Sequence, residues 1–309
     1  MAMQVVRGFC MGAADIVPGV SGGTIALIFG IYSRLIDNVR QGARALGSFV
    51  KLDVRTGFER IKAIEWSFLI PLLAGVLIAL ASLSHFLEGL LEDHPEEMAG
   101  LFLGLVAASV IIAWKQVTAW NNEAYAIVAI VAVAAFVLLG FQSGAISNPS
   151  AIQFFGAGCI AICAMILPGI SGSFLLLMMG MYAPLLTAVN DREIPDVAVF
   201  GVGAIIGLAL FSTLLHWLLE HHGDRVLAAI IGLMIGSVRV LWPWPNGVGV
   251  ISEEEDEVVK GTDLGWADDV AAFFWPTILA VVAFAIVLGI SMYGERRAAA
   301  RAEGEPVSA

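Results

Sequence analysis

The chain carries the stretch Ile16-Val17-Pro18-Gly19-Val20-Ser21-Gly22-Gly23-Thr24, which continues to Gly30-Ile31-Tyr32. A second copy, Ile166-Leu167-Pro168-Gly169-Ile170-Ser171-Gly172-Ser173-Phe174, continues to Gly180-Met181-Tyr182 without a gap. The identical positions are mostly Pro, Gly and Ser, which shape the backbone, rather than the apolar residues that any two hydrophobic helices share. The chain therefore contains an internal duplication with a helix-breaking turn in each half, a pattern typical of transporters built from repeats.

The composition indicates an integral membrane protein. Apolar residues make up 59% of the chain and charged residues 14%, whereas about 25% of the residues in a soluble protein are charged. The cysteines Cys10, Cys159 and Cys163 fall in apolar segments, and no His or carboxylate is placed to complete a metal site with them. We therefore predict an all-α polytopic membrane protein without a metal or a cofactor.

The apolar segments fall into spans and hairpins. A helix needs about 20 apolar residues to cross the hydrocarbon core. The first two segments are too short and carry Arg7, Asp15 and Arg34, so we predict that 3–36 is a re-entrant hairpin. Its repeat at 150–189 should be one too, although its longer arms could each cross. The segments lie at 3–17, 21–36, 66–87, 97–114, 124–141, 150–167, 171–189, 197–219, 226–242 and 271–292.

Each half is predicted to hold one hairpin and three spans. The first repeat covers 1–145, the second covers 146–295, and 296–309 forms a tail. Gly100-x-x-x-Gly104 in the first half resembles Gly232-x-x-x-Gly236 in the second. Because the number of crossings per half is odd under either interpretation of the hairpin, the two halves should have opposite orientations. The sequence thus predicts an inverted repeat.

The charge distribution predicts the orientation of the chain. If the N-terminus is cytoplasmic, all basic residues except Arg192, Arg239 and Lys260 lie on the cytoplasmic side, as the positive-inside rule requires. The acidic run Glu253–Glu257 then belongs to an external loop. We expect both termini to be cytoplasmic, the cytoplasmic segments being 1–7, 34–65, 115–123, 220–225 and 293–309 and the external ones 88–96 and 243–270.

The repeated turns have the chemistry of an anion site. Pro18 ends the first half-helix and Ser21 is an N-cap candidate for the next one, which leaves the first N–H groups of that helix without intrahelical acceptors. Two such helix starts meeting near the midplane would attract an oxyanion. The alternative is that the turns are only hairpin tips. The predicted phosphate-binding groups are Ser21, Gly22, Gly23 and Thr24 in the first turn and Ser171, Gly172 and Ser173 in the second.

A few ionisable side chains lie at membrane depth, where they are usually functional. Asp15 is a candidate proton or cation relay, or else a structural partner of Arg7 or a serine. Arg7 and Arg239 could pair with a phosphate, although both lie near segment ends and could instead extend to the interface. We expect His85 and His216, near span ends, to pack at the interface, with proton transfer as the alternative.

The segment from Gly12 to Thr24, with Gly30-Ile31-Tyr32, resembles the PopT family of polyprenyl-phosphate translocases, formerly a domain of unknown function. The resemblance covers nearly the whole chain. It implies a flippase that moves undecaprenyl phosphate from the outer to the inner leaflet of the bacterial cytoplasmic membrane, for carrier-lipid recycling in envelope synthesis. The partners implied are this lipid and the bilayer, with no nucleic acid. The coupling ion, proton or sodium, and the oligomeric state remain open.

Two other functions remain as alternatives. A membrane polyprenyl pyrophosphate phosphatase also has inverted hairpins, but its motif places Arg after the serine, whereas Gly22 and Gly172 follow Ser21 and Ser171 here. No Glu-x-x-x-Glu pair lies in a membrane segment, so hydrolysis has no acid–base pair. We therefore expect a protein that is not an enzyme. A transporter of a small soluble anion is the second alternative, because a lateral opening to lipid cannot be inferred from sequence.

Overall fold

The all-α prediction is confirmed throughout the part of the chain that a computed structural model describes, namely residues 2–15, 21–140, 146–244 and 264–304. The turn Pro18-Gly19-Val20, the acidic run Glu253–Glu257 and the end of the tail lie outside these ranges. The helices are α1 (Ala2–Asp15), α2 (Gly22–Ile28), α3 (Tyr32–Val50), α4 (Val54–Ala63), α5 (Trp66–Asp93), α6 (Pro95–Gln116), α7 (Asn122–Leu138), α8 (Ala151–Ile166), α9 (Gly172–Met178), α10 (Tyr182–Asn190), α11 (Ile194–Gly236), α12 (Val238–Leu241) and α13 (Val270–Gly304).

Long apolar helices confirm a multi-pass membrane protein. Within the described ranges, α5, α6, α11 and α13 are long and apolar enough to cross, and the bent pair α9–α10 brings the number to as many as five. Helices α7 and α8 are apolar but shorter. At about 1.5 Å per residue, the 17 residues of α7 reach the lower limit of a span.

Helix α11 contains two of the predicted segments. Its 43 residues would extend about 65 Å if straight, roughly twice the hydrocarbon thickness. The helix breaks at His222, where φ is −139° and ψ is 39°. His94, between α5 and α6, has almost the same backbone conformation, with φ −137° and ψ 52°. The break therefore separates the segments predicted at 197–219 and 226–242 and has a counterpart in the first half.

The second arms of the predicted hairpins differ from the sequence prediction, because neither 21–36 nor 171–189 forms one helix. Gly30 and Gly180 have φ of +65° and +68°, a conformation that glycine adopts at little cost and that ends a helix. The Ile31 N–H donates to the Ala26 carbonyl at 2.9 Å, and the corresponding bond closes α9. The axes of α9 and α10 differ by 107°. The predicted 34–65 loop is also largely helical, since it holds most of α3 and all of α4.

Glycines bring α1 and α5 into backbone contact. A Cβ atom added to Gly8 would lie 1.9 Å from the Leu72 carbonyl oxygen, and one added to Gly75 would lie 2.1 Å from the Val5 carbonyl oxygen. Real side chains do not fit at such distances. Small residues that let backbones approach are typical of helix pairs in membranes, where packing replaces the hydrophobic effect as the source of association.

The second half repeats this contact between α8 and α11. A Cβ atom added to Gly158 would lie 2.2 Å from the Phe200 carbonyl oxygen, and one added to Gly203 would lie 2.1 Å from that of Phe155. These residues occupy the same places relative to the second turn and to His222 as their counterparts do relative to the first turn and His94. The pairing of a hairpin arm with the first long helix is therefore the same in both halves.

The Gly-x-x-x-Gly pairs make contacts that cross between the halves. Gly100 and Gly104 of α6 face the Pro276 and Ala280 carbonyl oxygens of α13, at 2.2 and 2.0 Å from an added Cβ. In the reciprocal contact, the glycines of α11 face α7. For Gly232 and Gly236 the distances are 2.8 Å to the Val128 oxygen and 2.7 Å to the Ala132 oxygen. Helices of the two halves thus pack directly against each other, and buried residues of both halves form a common core cluster.

The tryptophans lie at or near helix ends and in the loops, the positions that tryptophan favours in membrane proteins. One indole also donates a hydrogen bond to a carbonyl that a proline leaves without its helical donor. Pro276 lacks an N–H, so the Ala272 carbonyl has no helical donor, and Trp244 Nε1 donates to it at 3.0 Å. The group at one set of ends is Trp66, Trp114, Trp120 and Trp217, and the other is Trp242, Trp244, Trp266 and Trp275.

Two glycines of α11 give a direct test of the packing. Gly203→Ala places a methyl group against the Phe155 oxygen and should destabilise the protein by about 1–3 kcal/mol. The matched change Gly201→Ala meets nothing within 4 Å and should be neutral or stabilise by up to about 1 kcal/mol through helix propensity. Thermal unfolding of both variants in detergent measures the difference, and equal effects would contradict a close α8–α11 contact.

Candidate functional site

The first repeated turn positions Ser21 as the N-cap of α2, as predicted. Ser21 has extended backbone, with φ −129° and ψ 137°, and its Oγ accepts a hydrogen bond from the Gly23 N–H at 3.1 Å. The Thr24 N–H donates to the Ser21 carbonyl at 2.9 Å. The Ser21 side chain is buried at 1% exposure. The turn chemistry of the sequence is thus realised locally.

Asp15 supplies a contact that the sequence did not predict. Its Oδ1 atom accepts from the Gly22 N–H at 2.6 Å. The N–H groups of Gly22 and Gly23 thus bond to acceptors outside α2, the Asp15 carboxylate and the Ser21 hydroxyl, and that of Thr24 bonds to the Ser21 carbonyl. Asp15 ends α1 directly before the turn, so its negative charge reaches the positive end of α2. A Cβ on Gly22 would lie 2.5 Å from Asp15 Oδ2, so a larger residue there would displace the carboxylate.

The start of α9 is capped by a serine, as that of α2 is, but has no carboxylate beside it. Gly169 has φ +90°, and Ser171 caps α9 by accepting from the Phe174 N–H at 3.5 Å. Ser171 Oγ lies 2.8 Å from Ser173 Oγ. A Cβ on Gly172 would lie 2.5 Å from Met165 Cγ, so Met165 occupies the place that Asp15 has at the first turn. The carboxylate of the first turn has an apolar counterpart in the second.

The two turns contact each other. Ser21 Oγ donates to the Met165 carbonyl at 3.0 Å, and the Gly169 N–H donates to Thr24 Oγ1 at 3.0 Å. A Cβ on Gly23 would lie 2.6 Å from the Ile166 oxygen. The start of α2 therefore rests on the end of α8, in a region where Thr24 is fully buried. The binding of one anion between the starts of α2 and α9 stays a prediction.

The two candidate arginines have contacts away from these turns. Arg7 Nη1 donates to Gln4 Oε1 at 3.4 Å, and its guanidinium lies 6.0 Å from the ring of Phe29, at the end of α2 opposite to Gly22. Arg239 lies over the Phe136 ring at 5.1 Å. Its Nε atom is buried and has no hydrogen-bond partner within the described ranges. A role of either arginine in binding phosphate stays a prediction.

Comparison with known proteins identifies the family. A family model described as VCA0040-like, undecaprenyl phosphate translocase-like, matches residues 11–259, which include both turns. The chain belongs to this family. The resemblance noted from the first turn is thereby confirmed, and no solved structure matches the chain.

Two relatives of the translocase-like family align with most of the chain. It is 36% identical over 301 residues to the polyprenyl-phosphate transporter of Vibrio cholerae serotype O1, covering 94% of this chain and 96% of that protein. It is 32% identical over 270 residues to the polyprenyl-phosphate transporter of Staphylococcus aureus, covering 78% of this chain and 86% of that protein. Both alignments cover most of each chain and are therefore not limited to the repeated turns.

His216 has a more specific contact than interfacial packing. It contacts the Asp37 carboxylate of α3 through Nδ1, and its Nε2 atom lies 3.5 Å from Glu220 Oε2. Asp37 and His216 are 179 residues apart, so no local pattern could reveal the contact.

A cavity of about 270 Å³ lies elsewhere, beside the His222 break, and is lined in part by Asn121, Glu123 and Arg225.

Thr24 gives a test of the contact between the turns. Thr24→Val keeps the shape but removes the acceptor of the buried Gly169 N–H, and it should destabilise the protein by about 1–3 kcal/mol. The control Thr213→Val removes a hydroxyl that bonds only to Ala209 in its own helix at an exposed site and should change stability by less than about 0.5 kcal/mol. Thermal unfolding in detergent decides, and a silent Thr24 variant would contradict the contact.

Proposed function

We propose that the protein is a flippase that moves undecaprenyl phosphate from the outer to the inner leaflet of a bacterial cytoplasmic membrane and so returns the carrier lipid for envelope synthesis. Family membership supports this, as do the two relatives named polyprenyl-phosphate transporters. The phosphate must pass the low-dielectric interior, where it needs a protein site, while the isoprenoid tail stays in lipid.

The phosphate site proposed is the place where the two turns meet. The observation that carries this proposal is the Asp15 carboxylate on the Gly22 N–H, because it is an oxyanion already bound to the start of α2. A phosphate entering this site replaces Asp15 at Gly22 and gains the hydroxyls of Ser21 and Ser171. Gly23, Thr24, Gly172 and Ser173 complete the proposed contacts. Of the two arginines, Arg239 has the stronger support, since its buried Nε lacks a partner among described residues.

Transport to the opposite leaflet is explained by an inverted repeat, which we propose as the architecture. The halves defined as 1–145 and 146–295 repeat the glycine contacts. In addition, α6 and α7 of the first half pack against α13 and α11 of the second. With an odd number of crossings per half, the hairpins enter from opposite faces, and both termini are cytoplasmic. Alternate opening toward each leaflet then requires only that one half move relative to the other about a fixed site.

The residues at the turns are better suited to transport of an unmodified lipid than to hydrolysis. The hydroxyl of Ser21 donates to a carbonyl and accepts from Gly23, so it has no base that would make it a nucleophile. Asp15, the carboxylate at this place, is bound to backbone. The pyrophosphate phosphatase and the soluble-anion transporter therefore become outcomes of the experiment that follows.

Leaflet-resolved transport of labelled polyprenyl phosphate by the purified protein in liposomes tests the proposal. Ser21→Ala and Ser171→Ala should each weaken phosphate-lipid binding by about ten- to hundred-fold, the loss expected for a hydrogen bond to a charged group. Because both hydroxyls contact one phosphate, the double variant should be non-additive. Ser109→Ala is the matched control, since its buried hydroxyl bonds only to Leu105 within α6.

Three results would contradict the proposal. Unchanged binding in both serine variants would show that the turns are structural tips. Release of phosphate from polyprenyl pyrophosphate would indicate the phosphatase. Equal transport of inorganic phosphate, in competition with the lipid, would indicate a carrier for a soluble anion.

A further inference from the structure

A group of ionisable side chains joins α3 of the first half to α11 of the second. The His216 imidazole stands between two carboxylates, Asp37 on α3 and Glu220 one turn further along α11. The His216 side chain is only 21% exposed, whereas those of Asp37 and Glu220 are 53% and 62% exposed. The imidazole is thus held at the contact between the helices, and the two carboxylates are more exposed than it is.

The hydrogen-bonding capacity of imidazole makes this contact dependent on a proton. A neutral imidazole has one N–H donor and one acceptor nitrogen, so it can satisfy only one of two flanking carboxylates. The imidazolium has two donors and satisfies both. Histidine changes its charge between about pH 5 and 8. When the imidazolium loses its proton, one carboxylate comes to face a nitrogen lone pair and the contact weakens.

Further charged groups lie on α3 and on the elements that pack against α11. Arg40 of α3 interacts with both Asp37 and Glu220, and Arg44 follows one turn later. On the other elements that pack against α11, the charged groups are Glu96, Glu97 and Lys115 of α6, Glu123 of α7, which pairs with Arg225 at 3.0 Å, Asp191 after α10, and Arg239 of α12. Helix α8 has no charged residue.

The second attachment of α3 is not sensitive to pH in the same range. Arg34 forms an ion pair with Glu65, directly before α5. The hydrogen bond from Arg34 holds the pKa of Glu65 below its usual value, so that carboxylate stays charged well below neutral pH. A change of pH near neutrality therefore affects the α11 contact of α3 and leaves the α5 contact in place.

We propose that His216, together with Asp37 and Glu220, is a proton-binding site that controls the α3–α11 contact and, through it, the first repeated turn. Protonated His216 bonds to both carboxylates and holds α3 firmly against α11. The neutral ring keeps one N–H donor and loses its charge, so it holds α3 less firmly. Helix α3 continues directly from α2 through Gly30 and Ile31, and the start of α2 rests on α8, so the weaker contact changes the restraint on the turn. The coupling to transport rests on the function proposed above.

The helix contact can be measured without a substrate. Spin labels at Ser33 on α3 and Leu214 on α11, both exposed, are introduced into a protein lacking the native cysteines and reconstituted in liposomes. The population with the short label distance should fall by about tenfold or more between about pH 5 and pH 8. In His216→Gln and Asp37→Asn the distance distribution should be the same at both values. His94→Gln is the matched control, because its Glu97 contact lies within one helix end.

The same variants measured for transport complete the test. The pH dependence of polyprenyl-phosphate transport should be lost in His216→Gln and kept in His94→Gln. If pH dependence persists in His216→Gln, or a pH-independent spin-label distance is found in the unaltered protein, the proposal is overturned. Loss of pH dependence in Asp15→Asn alone would place the proton site at Asp15. The spin-label measurement needs no polyprenyl phosphate. A negative result there would overturn the proton-binding site without bearing on the proposed transport function.

Discussion

A backbone N–H group at the start of a helix inside a membrane must find an acceptor within the protein, because no water is available to it. The organisation of the first turn follows from this constraint. Asp15 satisfies Gly22, the Ser21 hydroxyl satisfies Gly23, and the Ser21 carbonyl satisfies Thr24. Thr24 in turn accepts from Gly169 of the second turn. The local requirement of one turn thereby fixes its position against the other.

Glycine packing extends this link to the rest of the molecule. The arm that leads to each turn is held against a long helix by backbone contacts that leave no room for a side chain. The Gly-x-x-x-Gly helices, α6 and α11, then pack against helices of the opposite half. A displacement of one half therefore alters the surroundings of both turns, which is the mechanical property that an alternating-access carrier needs. The His216 contact adds a further link between the halves, and its strength depends on a proton.

Much of the fold was predictable because it depends on composition and local backbone chemistry. The all-α class, the Ser21 and Ser171 caps, the interruption near His222 and the paired Gly-x-x-x-Gly motifs all follow from short stretches of sequence. The division of the second arms at Gly30 and Gly180 was missed because continuous apolar runs indicated single helices. Glycine followed by a β-branched or bulky residue was a signal that could have located the split.

The contacts that were missed depend on tertiary structure. Asp15 was recognised as unusual, but its partner depends on the path of the turn between α1 and α2, which no periodicity gives. The Asp37–His216 contact joins residues far apart in sequence. The contacts of α6 with α13 and of α11 with α7 likewise depend on how the repeats associate, and the sequence shows only that α6 and α11 carry glycines at the same spacing.

The central claim is that two related hairpins enter the membrane from opposite faces and meet. Accessibility of single cysteines at Arg55 and Asp191 in whole cells tests it most directly, on a background lacking the native three cysteines. Both positions are exposed, Arg55 between α3 and α5 and Asp191 between α10 and α11. The account predicts that a membrane-impermeant thiol reagent added outside labels the cysteine at Asp191 and labels the one at Arg55 only after the membrane is opened. Labelling of both positions from the same side would contradict it.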